Sequence, residues 1–390
     1  RHVGAEEAMA RGLVDEVATD IRRAALQRAE QLAAAGELPR VADRGIPAFD
    51  RGAWEAAAGQ VRRRARGAQA PVSAIAAIEA AMTLSFTDGL ARENALFLEL
   101  RGGTQAKALR HLFFAERLAA RMPRDARPWP VQRVGVVGGG TMGSGIAIAL
   151  ADAGLDVTLA EVSAEAAKAA EARVRAVYDR QLRGSRLTEA AHRERTGRIR
   201  YVDALEALQD SELVIEAVIE DMAAKQAVFR KLSGIVRRDT VLASNTSYLD
   251  INELADVVDA PERVIGMHFF SPAHVMRLLE VVKTARSLPE VLATALTLAR
   301  RLRKVAVVAG VCDGFIGNRL LAKWRAQAEY ALEDGATVEQ VDAALEAYGM
   351  AMGIFAVFDL AGLDVDWYMR KRRAAHQDPR ERVVPVFDQI

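Results

Sequence analysis

Eighteen consecutive residues without a charge, Val134 to Ala151, constrain this 390-residue chain more than any other feature. A run of that length is either a membrane span or the buried start of a mixed α/β domain. Six of the eighteen are glycines, and Thr141 and Ser144 add hydroxyls, so the apolar area that a span needs is missing. The order within the run favours the second reading. Val134-Gly135-Val136-Val137 is a short strand, Gly138-Gly139-Gly140-Thr141-Met142-Gly143 is a glycine turn, and an Ala/Ile helix follows.

The turn has the spacing G-x-G-x-x-G. Gly138 permits the tight turn, Gly140 lets the backbone approach a pyrophosphate, and Gly143 lets the helix pack close to the strand. Thr141 and Met142 complete the turn, and the helix N-terminus faces the phosphates. Glu161 stands 18 residues after Gly143, at the end of the next strand, where a carboxylate binds ribose hydroxyls. It would repel the extra phosphate of NADP, and Val162 and Ser163 bring no arginine to offset it. NAD is the expected cofactor. Glycine turns are common, and the strand, helix and acid around this one are what make it specific.

Three prolines in Pro123–Pro130 mark a domain boundary. Beyond it, short apolar runs alternate with amphipathic helices: Val134–Val137, Asp156–Ala160, Leu213–Glu216, Val241–Ala243, Val264–His268 and Val305–Val308. This alternation predicts an α/β fold, a Rossmann-like, doubly wound and mostly parallel sheet over residues 131–309. After Gly310 the pattern is helical only, over Asn318–Asp334, Val338–Tyr348 and a stretch near Asp364–Ala375, giving an all-α C-terminal domain at 310–390. The first 130 residues are helical as well. A short helix closes at Gly12, a second runs from about Asp20 to Ala35, and residues 37–70 are the poorest candidates for regular structure. Arg62-Arg63-Arg64 reads as a solvated helix face. A helical linker region at 71–130 opens at Pro71 and breaks at Gly102-Gly103, with Phe97, Leu100, Ala108, Leu112, Phe113 and Leu118 at helical spacing.

Composition narrows the partners. Lys and Arg total 53 against 52 Asp and Glu, so a nucleic acid or an anionic membrane is not the expected partner. The single cysteine, Cys312, excludes an intrachain disulfide. Of the basic residues 45 are Arg and eight Lys, which with the abundant Ala points to high-GC, bacterial coding. With no apolar signal segment at the start, the expected location is a bacterial cytoplasm. No His/Cys/Asp cluster has metal-ligand spacing, so no metal is expected. His192 and His376 read as surface residues, and His274 as a neighbour without a chemical role.

Four separated segments carry a resemblance: Ala243-Ser244-Asn245-Thr246-Ser247, Gly266-Met267-His268-Phe269-Phe270-Ser271-Pro272, Leu279-Glu280-Val281-Val282 and Gly314-Phe315-Ile316-Gly317-Asn318-Arg319. In this order and spacing they resemble the L-3-hydroxyacyl-CoA dehydrogenase family, from Val131 to about Trp367. The resemblance implies NAD-dependent oxidation of the 3-hydroxyl of an acyl-CoA in fatty acid β-oxidation. It implies His268 as the general base, Glu280 as the carboxylate that partners the imidazole, and Ser247 and Asn318 as holders of the substrate's oxygens. It also implies Glu220, Lys225 and Asn245 beside the cofactor. By residue type alone, these would be a structural histidine, a strand-end acid, a turn serine, a helix-capping asparagine and a solvated Glu/Lys pair. Partners beyond the acyl-CoA would be a second copy of the chain or a thiolase-type protein, which the residues themselves do not specify.

Residues 1–70 resemble the C-terminal remnant of an enoyl-CoA hydratase/isomerase (crotonase) domain, through Gly4-Ala5-Glu6-Glu7-Ala8-Met9-Ala10-Arg11-Gly12-Leu13-Val14-Asp15-Glu16-Val17. Leu109-Arg110-His111-Leu112-Phe113-Phe114-Ala115-Glu116-Arg117 resembles the linker helix that follows. The implied parent is a multifunctional hydratase–dehydrogenase, of which this chain is the middle, with an incomplete C-terminal domain. Gly353-Ile354-Phe355 departs from the family's Gly-Pro-Phe, which predicts a looser turn. Two other readings stand beside this one. A β-hydroxyacid dehydrogenase of the same fold would use a Lys base, and no lone Lys sits in such a motif. A catalytically idle NAD-binding structural or assembly module would have no need of Ser247, His268, Glu280 and Asn318 together.

Overall fold

Capping side chains and left-handed glycines set the limits of the N-terminal helices. The computed structural model describes residues 3–361 apart from Glu37, Pro39, Arg44, Pro47 and Ala120, together with Arg380, Arg382 and Val384. Helix α1 (Ala5–Ala10) stops before Gly12, whose φ of +69° is the left-handed conformation that suits glycine. Helix α2 (Ile21–Ala35) is capped by the Asp20 carboxylate on Arg23 N at 3.0 Å. The stretch expected to be least regular instead contains a 15-residue helix, α3 (Arg51–Ala65), capped by Asp50. Its last turn carries Arg62-Arg63-Arg64, where cations complement the helix dipole, so the run is a helix face as expected. Helix α4 (Gln69–Thr83) starts two residues before Pro71. Helix α5 (Phe86–Gly102) packs against it, with Gly89 close to the Ala80 backbone. Helix α6 (Thr104–Ala119) follows the Gly102-Gly103 break. Arg1–Lys107 forms one compact unit and Ala108–Ile390 a second.

The second unit is built on strand–helix alternation. In chain order it comprises β1 (Arg133–Val137), α7 (Thr141–Asp152), β2 (Asp156–Ala160), α8 (Ala164–Arg183), α9 (Glu189–Gly197), β3 (Ile199–Val202), β4 (Leu213–Glu216), α10 (Met222–Ile235) and β5 (Val241–Ser244). Next come α11 (Ile251–Ala255), β6 (Val264–Phe269), β7 (Leu278–Lys283), α12 (Pro289–Arg301) and β8 (Val305–Gly310). The eight strands lie in the order β3-β2-β1-β4-β5-β6-β7-β8, and every neighbouring pair is parallel except β6–β7. This is the expected doubly wound, mostly parallel sheet. Apolar cores cover both faces: Ile146, Leu150, Val174 and Leu296 on one, Phe229, Leu232, Ile251 and Leu254 on the other. The chain reverses direction across the sheet between β1 and β4, and the loops leaving their carboxyl ends open the crevice where such folds bind ligands.

Two strands were not among the expected runs. β3 is interrupted by the exposed Arg200, and β7 turns back antiparallel beside β6. Beyond β8, helices α13 (Gly317–Glu333), α14 (Val338–Tyr348) and α15 (Ile354–Ala361) enclose a small core of Ala328, Ile354 and Phe355. The turn that lacks the family's proline is pinned by Asp342, which accepts from the N–H groups of Phe355 and Ala356, both at 3.0 Å. The expected helix near Asp364–Ala375, and His376, lie outside the described residues. Among the described residues no helix is long and apolar enough to cross a membrane.

Candidate active site

The glycine turn between β1 and α7 is held by contacts that admit no side chain. Gly138 has φ +91°, and a Cβ there would lie 2.7 Å from the carbonyl oxygen of Ala217. A Cβ on Gly143 would lie 1.8 Å from the carbonyl oxygen of Gly138. Gly139, to which the fingerprint assigns no role, is equally constrained, with Ala170 Cβ 2.4 Å from where its own would be. Gly140 differs: among the described residues nothing stands within 4 Å of its absent Cβ. Thr141 and Met142 open α7, whose first-turn N–H groups have no acceptor within the helix. The turn therefore presents free amides to open space, a cradle that fits a phosphate. The Glu161 carboxylate accepts from Gly139 N at 2.6 Å and from Val162 N at 3.1 Å, which fixes it beside the cradle.

Glu220 and Lys225 do not form a solvated helix pair. Glu220 precedes α10, and Lys225 on α10 is 1% exposed. Lys225 Nζ donates to Glu216 Oε1 at 2.6 Å and lies 3.3 Å from Glu220 Oε2. Glu220 Oε1 accepts from Thr246 Oγ1 (2.6 Å) and from the N–H groups of Ser247 (2.8 Å) and Tyr248 (3.2 Å). Asn245 sits at the end of β5, and its side-chain oxygen accepts from Phe269 N at 2.9 Å. This ties the β5 turn to the strand that carries His268. Sequence reasoning missed Glu216, which is fully buried at the end of β4. Its signal was an acid closing an otherwise apolar strand, nine residues before a lysine.

The antiparallel register of β6 and β7 sets His268 opposite Glu280. His268 Nδ1 and Glu280 Oε2 are 2.8 Å apart, and both residues are buried. The other carboxylate oxygen accepts from the N–H groups of Gly317 (2.7 Å) and Ile316 (3.0 Å) at the start of α13. Burial pushes the Glu280 carboxyl up, but the bonds from His268, Gly317 and Ile316 outweigh it and hold its pKa below the ordinary carboxylate value. An ionised carboxylate can only accept, so Nδ1 is the donor in this pair, and in the neutral ring the lone pair lies on Nε2. The ring packs against Phe270 and Phe315, with centroids 4.5 and 5.6 Å away.

Ser247 and Asn318 are both half-buried, and neither Ser247 Oγ nor the Asn318 amide has a hydrogen-bond partner among the described residues. Gly317, beside Asn318, is also crowded: a Cβ there would lie 2.8 Å from the Phe270 ring, which would have to move. A groove of about 620 Å³, lined by Val311, Phe315, Ile316, Leu320, Arg319 and Lys323, runs along this end of α13. His274 is half-buried, and its Nδ1 has no partner among the described residues. His192 is less exposed than expected and pairs with Asp179 at 2.8 Å. No group of three metal-ligating side chains is present among the described residues.

The low pKa of Glu280 has a measurable consequence. Because its folded value lies below its unfolded one, the carboxylate's stabilisation is complete above the ordinary carboxylate pKa. It is lost as pH falls through the folded value. Glu280→Gln is therefore expected to lower Tm at neutral pH and to narrow its gap from wild type in acid, as read by thermal melts across that range. A gap that widens in acid would contradict this.

Residues 133–312 match the family model for the NAD binding domain of 3-hydroxyacyl-CoA dehydrogenase, and residues 314–390 match that for its C-terminal domain. Over 384 residues the chain is 42% identical to the peroxisomal bifunctional enzyme of Danio rerio, covering 95% of this chain and 52% of that protein. Identity to the human peroxisomal bifunctional enzyme is 37%, over 95% of this chain and 53% of that protein. The chain thus spans about half the length of the curated relatives it matches. Among solved structures, M. tuberculosis FadB2 superposes with a TM-score of 0.64 at 36% identity, covering 67% of this chain and 93% of that one. The 3-hydroxybutyryl-CoA dehydrogenase of Escherichia coli K12 gives 0.63 at 35% identity, over 67% of this chain and 56% of that one.

Proposed function

The chain belongs to the 3-hydroxyacyl-CoA dehydrogenase family, and from that premise we propose that it oxidises an L-3-hydroxyacyl-CoA to the 3-oxoacyl-CoA in fatty acid β-oxidation, with NAD as cofactor. The observation that carries this reading is the His268–Glu280 pair, in which Nδ1 faces the carboxylate and Nε2 is left for the substrate hydroxyl. Gly138, Gly140, Thr141, Met142 and Gly143 would hold the pyrophosphate of NAD and Glu161 its ribose, with Glu220 and Lys225 near the cofactor and Asn245 at its nicotinamide side. When bound, NAD supplies the hydride acceptor.

The protein's own part is proton transfer and orientation. Nε2 of His268 takes the hydroxyl proton as the alcohol is oxidised, and the Glu280 carboxylate stabilises the imidazolium that results. The two α13 amides on Glu280 keep the carboxylate ionised and aimed at Nδ1. Ser247 and Asn318, whose side chains have hydrogen-bonding capacity to spare, orient the substrate's oxygens. Phe270 and Phe315 shield the imidazole from water.

By the same proposal, residues 1–70 are a crotonase remnant, 71–130 a helical linker, 131–309 the NAD-binding domain and 310–390 part of the substrate and dimerisation domain. The parent protein is then also an enoyl-CoA hydratase, and the arginine-rich coding favours a bacterial cytoplasm. The test follows NADH appearance with L-3-hydroxybutyryl-CoA and a longer-chain homologue. Turnover is expected with NAD, and less with NADP because Glu161 opposes its 2′-phosphate. Absence of turnover with every chain length would overturn the reading.

A further inference from the structure

Glu216 has no part in the chemistry above, yet both its carboxylate oxygens are engaged. Its residue is 0% exposed. Oε1 accepts from Lys225 Nζ at 2.6 Å and from Val218 N at 2.8 Å, and Oε2 accepts from Ser244 Oγ at 2.6 Å. A buried ion pair is a poor device for stability, since apolar side chains of the same volume commonly do as well. It is a good device for holding atoms in one arrangement when each lone pair has a fixed donor.

What it holds is the turn that follows β5. Ser244 Oγ, bonded to Glu216, accepts in turn from Thr246 N at 3.2 Å. From the other oxygen the path runs through Lys225 to Glu220 Oε2 (3.3 Å). Glu220 Oε1 then gathers Thr246 Oγ1 and the N–H groups of Ser247 and Tyr248. Both ends of the segment 244–248 thus lead back to one carboxylate. Asn245, in the middle of that segment, is bonded to Phe269 N, next to His268.

Resting on the function proposed above, we infer that Glu216 is a positioning residue of the dehydrogenase site. Acting through Ser244 and through Lys225–Glu220, it sets where Ser247 stands relative to His268. Glu216→Gln keeps the side chain's shape but removes the charge that holds Lys225 between two carboxylates. Lys225 then shifts its allegiance to Glu220, and the Ser247 turn loosens.

The experiment measures two quantities on the full chain. Amide hydrogen exchange without ligands is expected to quicken about tenfold or more at residues 246–248, with α12 amides unchanged. The kcat for 3-hydroxybutyryl-CoA oxidation is expected to fall about tenfold or more, with a smaller change in KM, because misplacement costs the transition state most. Glu216→Gln/Lys225→Met, which removes both buried charges, should show the same two effects if the single variant folds poorly. Glu216→Asp, which keeps the charge, should recover part of kcat. Unchanged exchange at 246–248 in the folded variants, or a wild-type kcat, would overturn the inference. An inactive wild-type chain would instead sink the functional reading, and the exchange data would still decide whether Glu216 holds the turn.

Discussion

Replacing His268 with glutamine is expected to lower kcat for 3-hydroxyacyl-CoA oxidation by roughly 10³-fold, within the range general-base catalysis contributes, while NADH binding stays near wild type. Glutamine fills a similar volume and its amide can still meet Glu280, so the β6–β7 register should persist. What is lost is the lone pair at Nε2. The loss falls on kcat because the proton moves only as the alcohol is oxidised, and ground-state contacts through Ser247 and Asn318 remain. Stopped-flow NADH formation together with NADH fluorescence titration separates the two quantities. Equal rates in variant and wild type would remove His268 from the mechanism. A parallel collapse of NADH binding would show that its role is architectural.

The second large effect concerns the glycine turn, where Gly140 and Gly143 stand in different surroundings, in keeping with their different roles in the motif. Gly143→Ala places a methyl 1.8 Å from the carbonyl oxygen of Gly138, and that carbonyl is backbone in a turn with no room to yield. The expected outcome is a loss of about 1–3 kcal/mol of stability, as for other overpacked sites. NADH binding should weaken about 100-fold, because the turn must move to relieve the clash. Gly140→Ala meets nothing within 4 Å among the described residues. Its Tm should match wild type, and binding alone should weaken, since the methyl projects where a pyrophosphate would approach. Titration and thermal melts of the two variants check this. Similar Tm losses in both would mean that the turn tolerates or rejects side chains for reasons other than these contacts.

The sheet was legible because its signals are local. Apolar runs bounded by turn residues mark β1, β2, β4, β5, β6 and β8, and in each the run is the strand. Two strands escaped for different reasons. β3 lies at the sheet edge and carries the exposed Arg200, which breaks the run on which such readings depend. β7 was visible as an apolar segment, but its direction depends on the 270–277 connection folding back, which no periodicity reports. Helix α3 escaped because its Ala, Gly and Arg residues make no apolar stripe. Its helicity rests on the Asp50 cap and on packing against α4. Spacing also does not tell a covered face from a bare one: Phe97, Leu112, Phe113 and Leu118 lie on helices as expected, yet all are exposed.

At the site, the motifs named the residues and the partnership of His268 with Glu280, but not the other bonds. How His268 meets Glu280 follows from an antiparallel register, and Lys225 on α10 is buried against Glu216 at the end of β4. Gly139 is required by the Ala170 side chain and Gly317 is crowded by the Phe270 ring, neighbours far off in sequence. Pairwise chemistry across strands is a tertiary property, so a single sequence shows it only as an acid or a glycine in an unexpected place.

The central claim is hydride transfer from the 3-carbon of an acyl-CoA by this chain. The measurement that tests it most directly mixes the protein with NAD and L-3-hydroxybutyryl-CoA deuterated at C3, and follows the label by mass spectrometry. The expected result is deuterium in the NADH formed, one per 3-oxoacyl-CoA. Binding of NAD without any transfer of label would contradict it and leave the fold as a dinucleotide-binding scaffold.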